Sequence, residues 1–93
     1  STVAVVEKVR EVELGGGYVV RDVPAPHRFI GHSLAELEIR ARTGVQVLLI
    51  RSPQGSTGSR DPMRVPSATD RIQAGDILVV AGSREGLDHM ERM

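Results

Sequence analysis

The strongest constraint on the fold is a short apolar run, residues 77–81 (ILVVA), with a glycine-containing turn at each end. The turn before it, residues 74–76 (AGD), suits a chain reversal because glycine tolerates a positive φ and an aspartate can bond the turn backbone. After the run, Gly82 is followed by Ser83, a favourable N-cap for a helix over residues 84–93. The segment therefore predicts a strand that leads directly into a closing helix.

A second helix is marked at both ends in the stretch GHSLAELEIRARTG. Ser33 is a good N-cap, and Glu36 three residues later completes a capping box. Gly44 suits the left-handed position that ends many helices. These signals predict one continuous helix over residues 33–44, whose apolar stripe is supplied by Leu34, Leu37, Ile39 and Ala41.

The remaining apolar segments favour strands. Residues 45–50 (VQVLLI) are almost continuously apolar, so we expect a strand buried on both faces. Residues 18–23 are rich in β-branched side chains, and a short strand is expected around residues 64–65. Residues 2–12 fit a strand or a helix, and their valines favour the strand. The element order predicts a small α/β (α+β) fold, with a mixed sheet and two short helices.

The size and charge of the chain exclude several classes of protein. With 93 residues the chain forms one domain, and its 12 basic and 12 acidic residues cancel, so it has no overall field to attract nucleic acid. No apolar run approaches the roughly 18 residues of a membrane span. The start Ser-Thr-Val suggests a piece of a larger protein. Two short helices leave apolar surface uncovered, and we expect a second copy of the chain to cover it.

Metal or hydrolytic chemistry has little support in the sequence. The three histidines, His27, His32 and His89, are not spaced to present two rings from one helix to zinc, although a cluster in space stays open. Ser33 is better explained as a cap than as a nucleophile with His32 and Asp88. We therefore expect no metal, no catalytic residues and no enzymatic activity.

The ordered set of motifs resembles the TrkA C-terminal domain family, the RCK-C module of potassium channels, potassium-uptake systems and many bacterial transporters. The resemblance runs over residues 18–93, which leaves residues 1–17 as an N-terminal strand or linker segment. It rests on a capped helix, an Ile-Arg pair, a valine-rich strand, and a Gly-Asp turn before the last strand. The matching residues are Gly31, Ser33, Leu34, Leu37, Ile39, Arg40, Gly44, Val45, Val47, Pro66, Gly75, Asp76, Leu78, Val80 and Gly82.

The resemblance implies a non-catalytic regulatory domain on the cytoplasmic side of a membrane cation transporter or channel, with potassium as the expected ion. Members of the family form homodimers through this module and act on a membrane-spanning transporter region. Some bind a small effector, of which cyclic di-AMP is the best known, and another nucleotide is an alternative. A module that only dimerises or assembles a permease, with no ligand, is the other function left open.

The resemblance also implies a ligand site at the helix end and the following strand, formed by Leu34, Ile39, Arg40, Gln46, Val47 and Pro66. Three of these positions have an alternative role. Arg40 could form a salt bridge with Glu36 or Glu38, and Ile39 and Val47 could belong to the core or to a dimer interface. Pro62 competes with Pro66 for the family's proline position, because the loop before it is long.

Overall fold

A computed structural model describes residues 10–53 and 62–93 of the chain. Residues 2–9 of the strand predicted over residues 2–12, and residues 54–61 of the long loop before Pro62, lie outside the described residues. A single 3₁₀ turn, His27–Phe29, follows the second strand. The helices and strands, in chain order, are β1 (Glu11–Gly15), β2 (Tyr18–Pro24), α1 (Leu34–Leu37), α2 (Ile39–Thr43), β3 (Gln46–Arg51), β4 (Met63–Arg64), β5 (Ile77–Ser83) and α3 (Arg84–Arg92).

The apolar run of the last strand, β5, lies at the centre of a five-stranded sheet with the order β1-β2-β5-β3-β4. Val80 is paired with Arg21 of β2 on one side and with Val47 of β3 on the other. The predicted fold class, a small sheet with a few short helices, is confirmed. The mixed sheet is wrong, because all pairs between the described strands are antiparallel.

The helices pack on one face of this sheet. Alternate residues of β5 are buried, and α3 adds Leu87 and Met90 to the same core. The prediction that β3 is buried on both faces is wrong: Leu48 is 39% exposed beside a bulge in the pairing with β5. The buried apolar residues are Val19, Val23, Phe29, Ile39, Val45, Val47, Ile50, Ile72, Leu78, Val80, Leu87 and Met90.

The opposite face of the sheet carries no described helix. Val12 and Leu14 on β1 and Tyr18 on β2 are each more than half exposed. In the register of the sheet, Val20 and Ala81 continue the same face inward. We call these five residues the open face. The expectation of uncovered apolar surface is therefore confirmed, whereas its cover by a second copy stays a prediction.

The local capping signals are confirmed. The Ser33 hydroxyl accepts a hydrogen bond from the Glu36 amide at 3.1 Å, and the Glu36 carboxylate accepts one from the Ser33 amide at 2.8 Å. Ser83 caps α3 by accepting from the amide of Gly86 at 3.0 Å. Gly44 ends α2 with φ 76°, in the left-handed region. Each of these motifs uses residues within a few positions of one another, so local sequence is sufficient to specify them.

The single helix predicted over residues 33–44 is wrong, because Glu38 divides it into α1 and α2. Glu38 has φ 49° and ψ 41° and is the one non-glycine residue with positive φ among the residues described. Its amide still donates to the carbonyl of Leu34 at 3.1 Å, and its carbonyl accepts from Arg42 at 3.0 Å. The break therefore turns the helix without leaving these backbone groups unpaired.

The conformation of Glu38 gives a stability prediction. A left-handed conformation costs an L-residue about 1–2 kcal/mol, and glycine avoids this cost but loses more entropy on folding. We expect Glu38→Gly to raise the free energy of unfolding by about 0.5–1 kcal/mol, measured by urea denaturation. Glu38→Ala is the matched control, since it removes the carboxylate but keeps the strain. Equal stability of the two variants would contradict this explanation.

Gly86 brings α3 close to the connection between α2 and β3. A Cβ at this position would lie 2.7 Å from the backbone oxygen of Thr43 and 3.4 Å from a methyl of Val45. Glycine therefore permits this approach, and the backbone oxygen cannot move aside as a flexible side chain would.

We expect Gly86→Ala to lower the free energy of unfolding by about 1–2 kcal/mol. The steric cost of overpacking, about 1–3 kcal/mol, outweighs the gain in helix propensity of at most about 1 kcal/mol. Urea denaturation measures the change, with Asp88→Ala as a control at an exposed position of the same helix. A Gly86→Ala protein that is more stable than the unmodified one would show that helix propensity dominates.

Candidate functional site

A surface pocket of about 460 Å³ lies between α1, α2 and the start of β3. It brings together five of the six predicted site residues, since Pro66 is not among those that line it. The lining residues are Leu34, Ala35, Glu38, Ile39, Arg40, Ala41, Val45, Gln46 and Val47.

The shape of the pocket depends on two chain reversals. The left-handed turn at Glu38 sets the direction of α2 relative to α1, and both helices supply lining residues. At the other end of α2 the Thr43 hydroxyl donates to the carbonyl of Ile39 at 2.6 Å and accepts from the amide of Val45 at 3.2 Å. These two hydrogen bonds connect the end of α2 to Val45, the residue that precedes β3.

The base of the pocket belongs to the hydrophobic core. Ile39 is 3% exposed, Val45 1% and Val47 8%. The core alternative for Ile39 and Val47 is therefore confirmed, and both residues also line the pocket. Because core side chains are held by close packing, they give the pocket a rigid apolar wall.

Arg40 is exposed at the pocket, and its guanidinium has no hydrogen bond or ion pair within the described residues. The alternative of a salt bridge to Glu36 or Glu38 is therefore wrong. The Glu36 carboxylate instead pairs with Arg71 at 3.1 Å. The hydrogen bond from the Ser33 amide, with Arg71 nearby, lowers the pKa of the Glu36 carboxyl below its usual range. Arg40 thus presents a positive charge that has no ion-pair partner among the described residues.

Gln46 is exposed at the first position of β3. Its side-chain amide donates to the carbonyl of Val47 at 3.3 Å, a long hydrogen bond that a ligand could replace. Pro66, the remaining predicted residue, is half-buried in the segment before β5. That segment contacts α1 through a hydrogen bond from the Ala35 amide to the carbonyl of Ala68 at 3.0 Å. Pro66 therefore lies near the helix that bears the pocket and does not line it.

Sequence reasoning missed four lining residues: Ala35, Glu38, Ala41 and Val45. Ala35 and Ala41 lie on the outer sides of short helices, where a small apolar residue carries no signal of a site. Val45 was expected in a buried strand, which is compatible with its place at the base of the pocket. Glu38 had no signal, because glutamate is a good helix former.

The histidines do not form a metal site in the part of the chain that the structure describes, where no group of three His, Cys, Asp or Glu side chains is placed to hold an ion. His32 lies beside Glu36, with its Nδ1 at 3.7 Å from a carboxylate oxygen. Among the described helices, none has the length and apolar character needed to cross a membrane.

Comparison with curated proteins identifies a relative in potassium uptake. The Ktr system potassium uptake protein C of Bacillus subtilis (strain 168) is 28% identical over 81 residues, which make up 87% of this chain and 34% of the relative. The chain thus spans about a third of the length of that relative. The similarity leaves the larger part of the relative without a counterpart here.

Solved structures share the fold. The RCK C domain of the potassium transport protein KtrA, in complex with cyclic diadenosine monophosphate (c-di-AMP), matches with a TM-score of 0.64 at 24% identity, covering 78% of this chain and 79% of that chain. The GsuK RCK domain matches with a TM-score of 0.70 at 22% identity, covering 90% and 17%. A family model described as the TrkA-C domain matches residues 18–93. This match covers most of the chain and confirms the resemblance: the chain belongs to the TrkA-C domain family.

Proposed function

We propose that this domain is the cytoplasmic regulatory part of a potassium transport system and that it senses a nucleotide in the pocket between α1, α2 and β3. The observation that carries the proposal is an apolar pocket with one guanidinium, that of Arg40, at its surface and unpaired within the described residues. The potassium-uptake relative supports the transport role. The c-di-AMP complex of the KtrA domain supports this nucleotide as the first ligand to test.

The side chains of the pocket have complementary roles toward a nucleotide. Leu34, Ile39 and Val47 provide apolar surface against which a flat base can be buried. The Gln46 amide can donate to or accept from the edge of a base, as amide side chains do. Arg40 can hold a phosphate through two parallel hydrogen bonds, which a guanidinium forms more readily than an ammonium. Pro66 does not line the pocket, although its segment contacts α1 through Ala68. The division of the chain into residues 1–17 and 18–93 stays a prediction.

Regulation requires that the ligand distinguish between two states of the transporter, since equal affinity for both shifts no equilibrium. We propose that the domain works as a homodimer and is coupled to a membrane-spanning region of its parent protein or complex. The exposed apolar side chains Val12, Leu14 and Tyr18 support contact with another chain or domain. The role requires no chemical step, so no catalytic residue is assigned.

The proposal is tested by thermal unfolding of the purified domain with c-di-AMP, other nucleotides, and mono- and divalent cations. A ligand at about 100 times its dissociation constant stabilises the fold by about 2.7 kcal/mol. For a domain of this size that is an increase in Tm of about 10–20 °C. We expect such an increase with c-di-AMP, and the absence of an increase with every nucleotide would contradict the sensor.

The second candidate function is an assembly module without a ligand. The open face favours it, because contiguous exposed apolar side chains mark a contact with another protein surface. A domain that is dimeric by light scattering, but whose Tm no nucleotide changes, would establish this candidate in place of the sensor.

A further inference from the structure

Two oppositely charged side chains lie at the pocket. Glu38 and Arg40 are the charged residues among those that line it, and both are exposed. Neither side chain has an ion-pair partner among residues 10–53 and 62–93. Other carboxylates in these ranges do have cationic partners, among them Glu11, Glu13, Asp22, Glu36, Asp70 and Glu91. Both charges at the pocket are therefore available to a ligand.

The backbone conformation of Glu38 lowers the stability of the folded domain. Its left-handed backbone conformation is disfavoured for a residue with a Cβ, and glycine or asparagine would adopt it more easily. Strained residues are concentrated at functional sites, where the strain is offset by what the residue does there. The carboxylate of Glu38 is exposed, so what this side chain offers a ligand is its charge and its hydrogen-bond acceptors.

We infer that Glu38 selects the class of ligand that Arg40 attracts; this inference rests on the proposed nucleotide site. A carboxylate only accepts hydrogen bonds, so it favours a ligand that presents a donor, such as the amino group of an adenine or guanine base. It repels a ligand that carries several negative charges close together. The pocket therefore prefers an amino-purine nucleotide with isolated phosphodiester charges over a nucleoside polyphosphate and over a nucleotide whose base lacks the amino group.

The test compares three nucleotides by isothermal titration calorimetry, in the absence of divalent cations. The nucleotides are c-di-AMP, its purine riboside analogue, in which a hydrogen atom replaces each amino group, and ATP. The variants are Glu38→Gln, which removes the charge and keeps the backbone strain, and Glu38→Asn, which removes the charge and relieves the strain. Glu85→Gln removes one exposed carboxylate on α3, away from the pocket, and controls for net charge.

We expect two affinity ratios to change in Glu38→Gln. The preference for c-di-AMP over ATP falls about fivefold, the effect of removing one unit charge about 4 Å from another in water. The preference for c-di-AMP over the purine riboside analogue falls by a similar factor, because a hydrogen bond to a charged acceptor is about twice as strong as one to a neutral acceptor. Glu38→Asn follows Glu38→Gln, and Glu85→Gln leaves both ratios unchanged.

The inference is overturned if c-di-AMP binds the unmodified domain and either ratio in Glu38→Gln stays within twofold of its original value. It is also overturned if Glu85→Gln changes the ratios as much as Glu38→Gln, which would assign the effect to net charge. In both cases the nucleotide site itself stands. If none of the three nucleotides binds the unmodified domain or any variant, the proposed function and the inference fall together.

Discussion

Replacing Asp76 with alanine is expected to destabilise the domain by about 3 kcal/mol and to lower its Tm by about 12–24 °C. Asp76 is 1% exposed and lies in the turn that starts β5. One carboxylate oxygen accepts from the Gln73 amide at 2.9 Å, and the other accepts from the Ser52 hydroxyl at 3.2 Å. Ser52 in turn accepts from the guanidinium of Arg64 at 3.1 Å.

The size of this effect follows from the number of hydrogen bonds lost. Hydrogen bonds to a charged group contribute about 1.5–3 kcal/mol each, and alanine leaves the Ser52 and Gln73 donors without their acceptor. For a domain whose total stability is near the lower end of the usual range of about 5–15 kcal/mol, this loss is a large fraction. Asp76→Asn should lose about half as much, since its amide oxygen can still accept one of the two bonds. A loss below about 1 kcal/mol for Asp76→Ala, measured by urea denaturation, would contradict this role.

Replacing Arg40 with alanine is expected to weaken c-di-AMP binding at least about tenfold with little change in the stability of the domain. The guanidinium has no intramolecular partner to lose within the described residues, so the fold does not depend on it. A bound phosphate would lose a charge-assisted hydrogen bond of about 1.5–3 kcal/mol, which corresponds to roughly 10- to 150-fold in affinity.

The matched control for this prediction is Arg42→Ala. Arg42 is an exposed arginine on the same helix, α2, and does not line the pocket. Calorimetry of both variants separates a specific contact from a general effect of positive charge. Equal weakening in the two variants would show that Arg40 acts only through long-range attraction, and unchanged affinity in Arg40→Ala would remove it from the site.

The parts of the fold that were predictable from sequence depend on local interactions. The N-caps at Ser33 and Ser83 and the helix end at Gly44 each involve residues a few positions apart, so a short segment contains the whole motif. The role of Asp76 in bonding the turn backbone was also local, through Gln73. The contact of Asp76 with Ser52 joins residues 24 positions apart and had no sequence signal.

The parts that were not predictable depend on long-range pairing. The sheet was expected to be mixed, but β5 lies between β2 and β3 and runs antiparallel to both, which no local pattern specifies. The apolar character of β3 predicted burial on both faces, and the actual exposure of Leu48 follows from helices that pack on one face only. The turn at Glu38 was missed because helix propensity favours glutamate, and tertiary packing outweighs propensity here.

The candidate site was predictable only in part for the same reason. Leu34, Ile39, Arg40, Gln46 and Val47 come from two neighbouring segments of the chain, so a family resemblance could place them together. Pro66 comes from a separate segment, and its position relative to the pocket depends on how residues 62–70 cross α1. The charges at the pocket could not be predicted from the sequence. The lack of an ion-pair partner for Arg40 among the described residues is visible only in the three-dimensional structure.

The central claim, that the pocket between α1, α2 and β3 binds a nucleotide, is tested most directly by NMR. Backbone amide shifts of the isotope-labelled domain are recorded during titration with c-di-AMP. We predict saturable shift changes concentrated at the residues that line the pocket, with the open face unaffected. Changes centred on Val12, Leu14 and Tyr18 of the open face, or no changes at millimolar nucleotide, would contradict it.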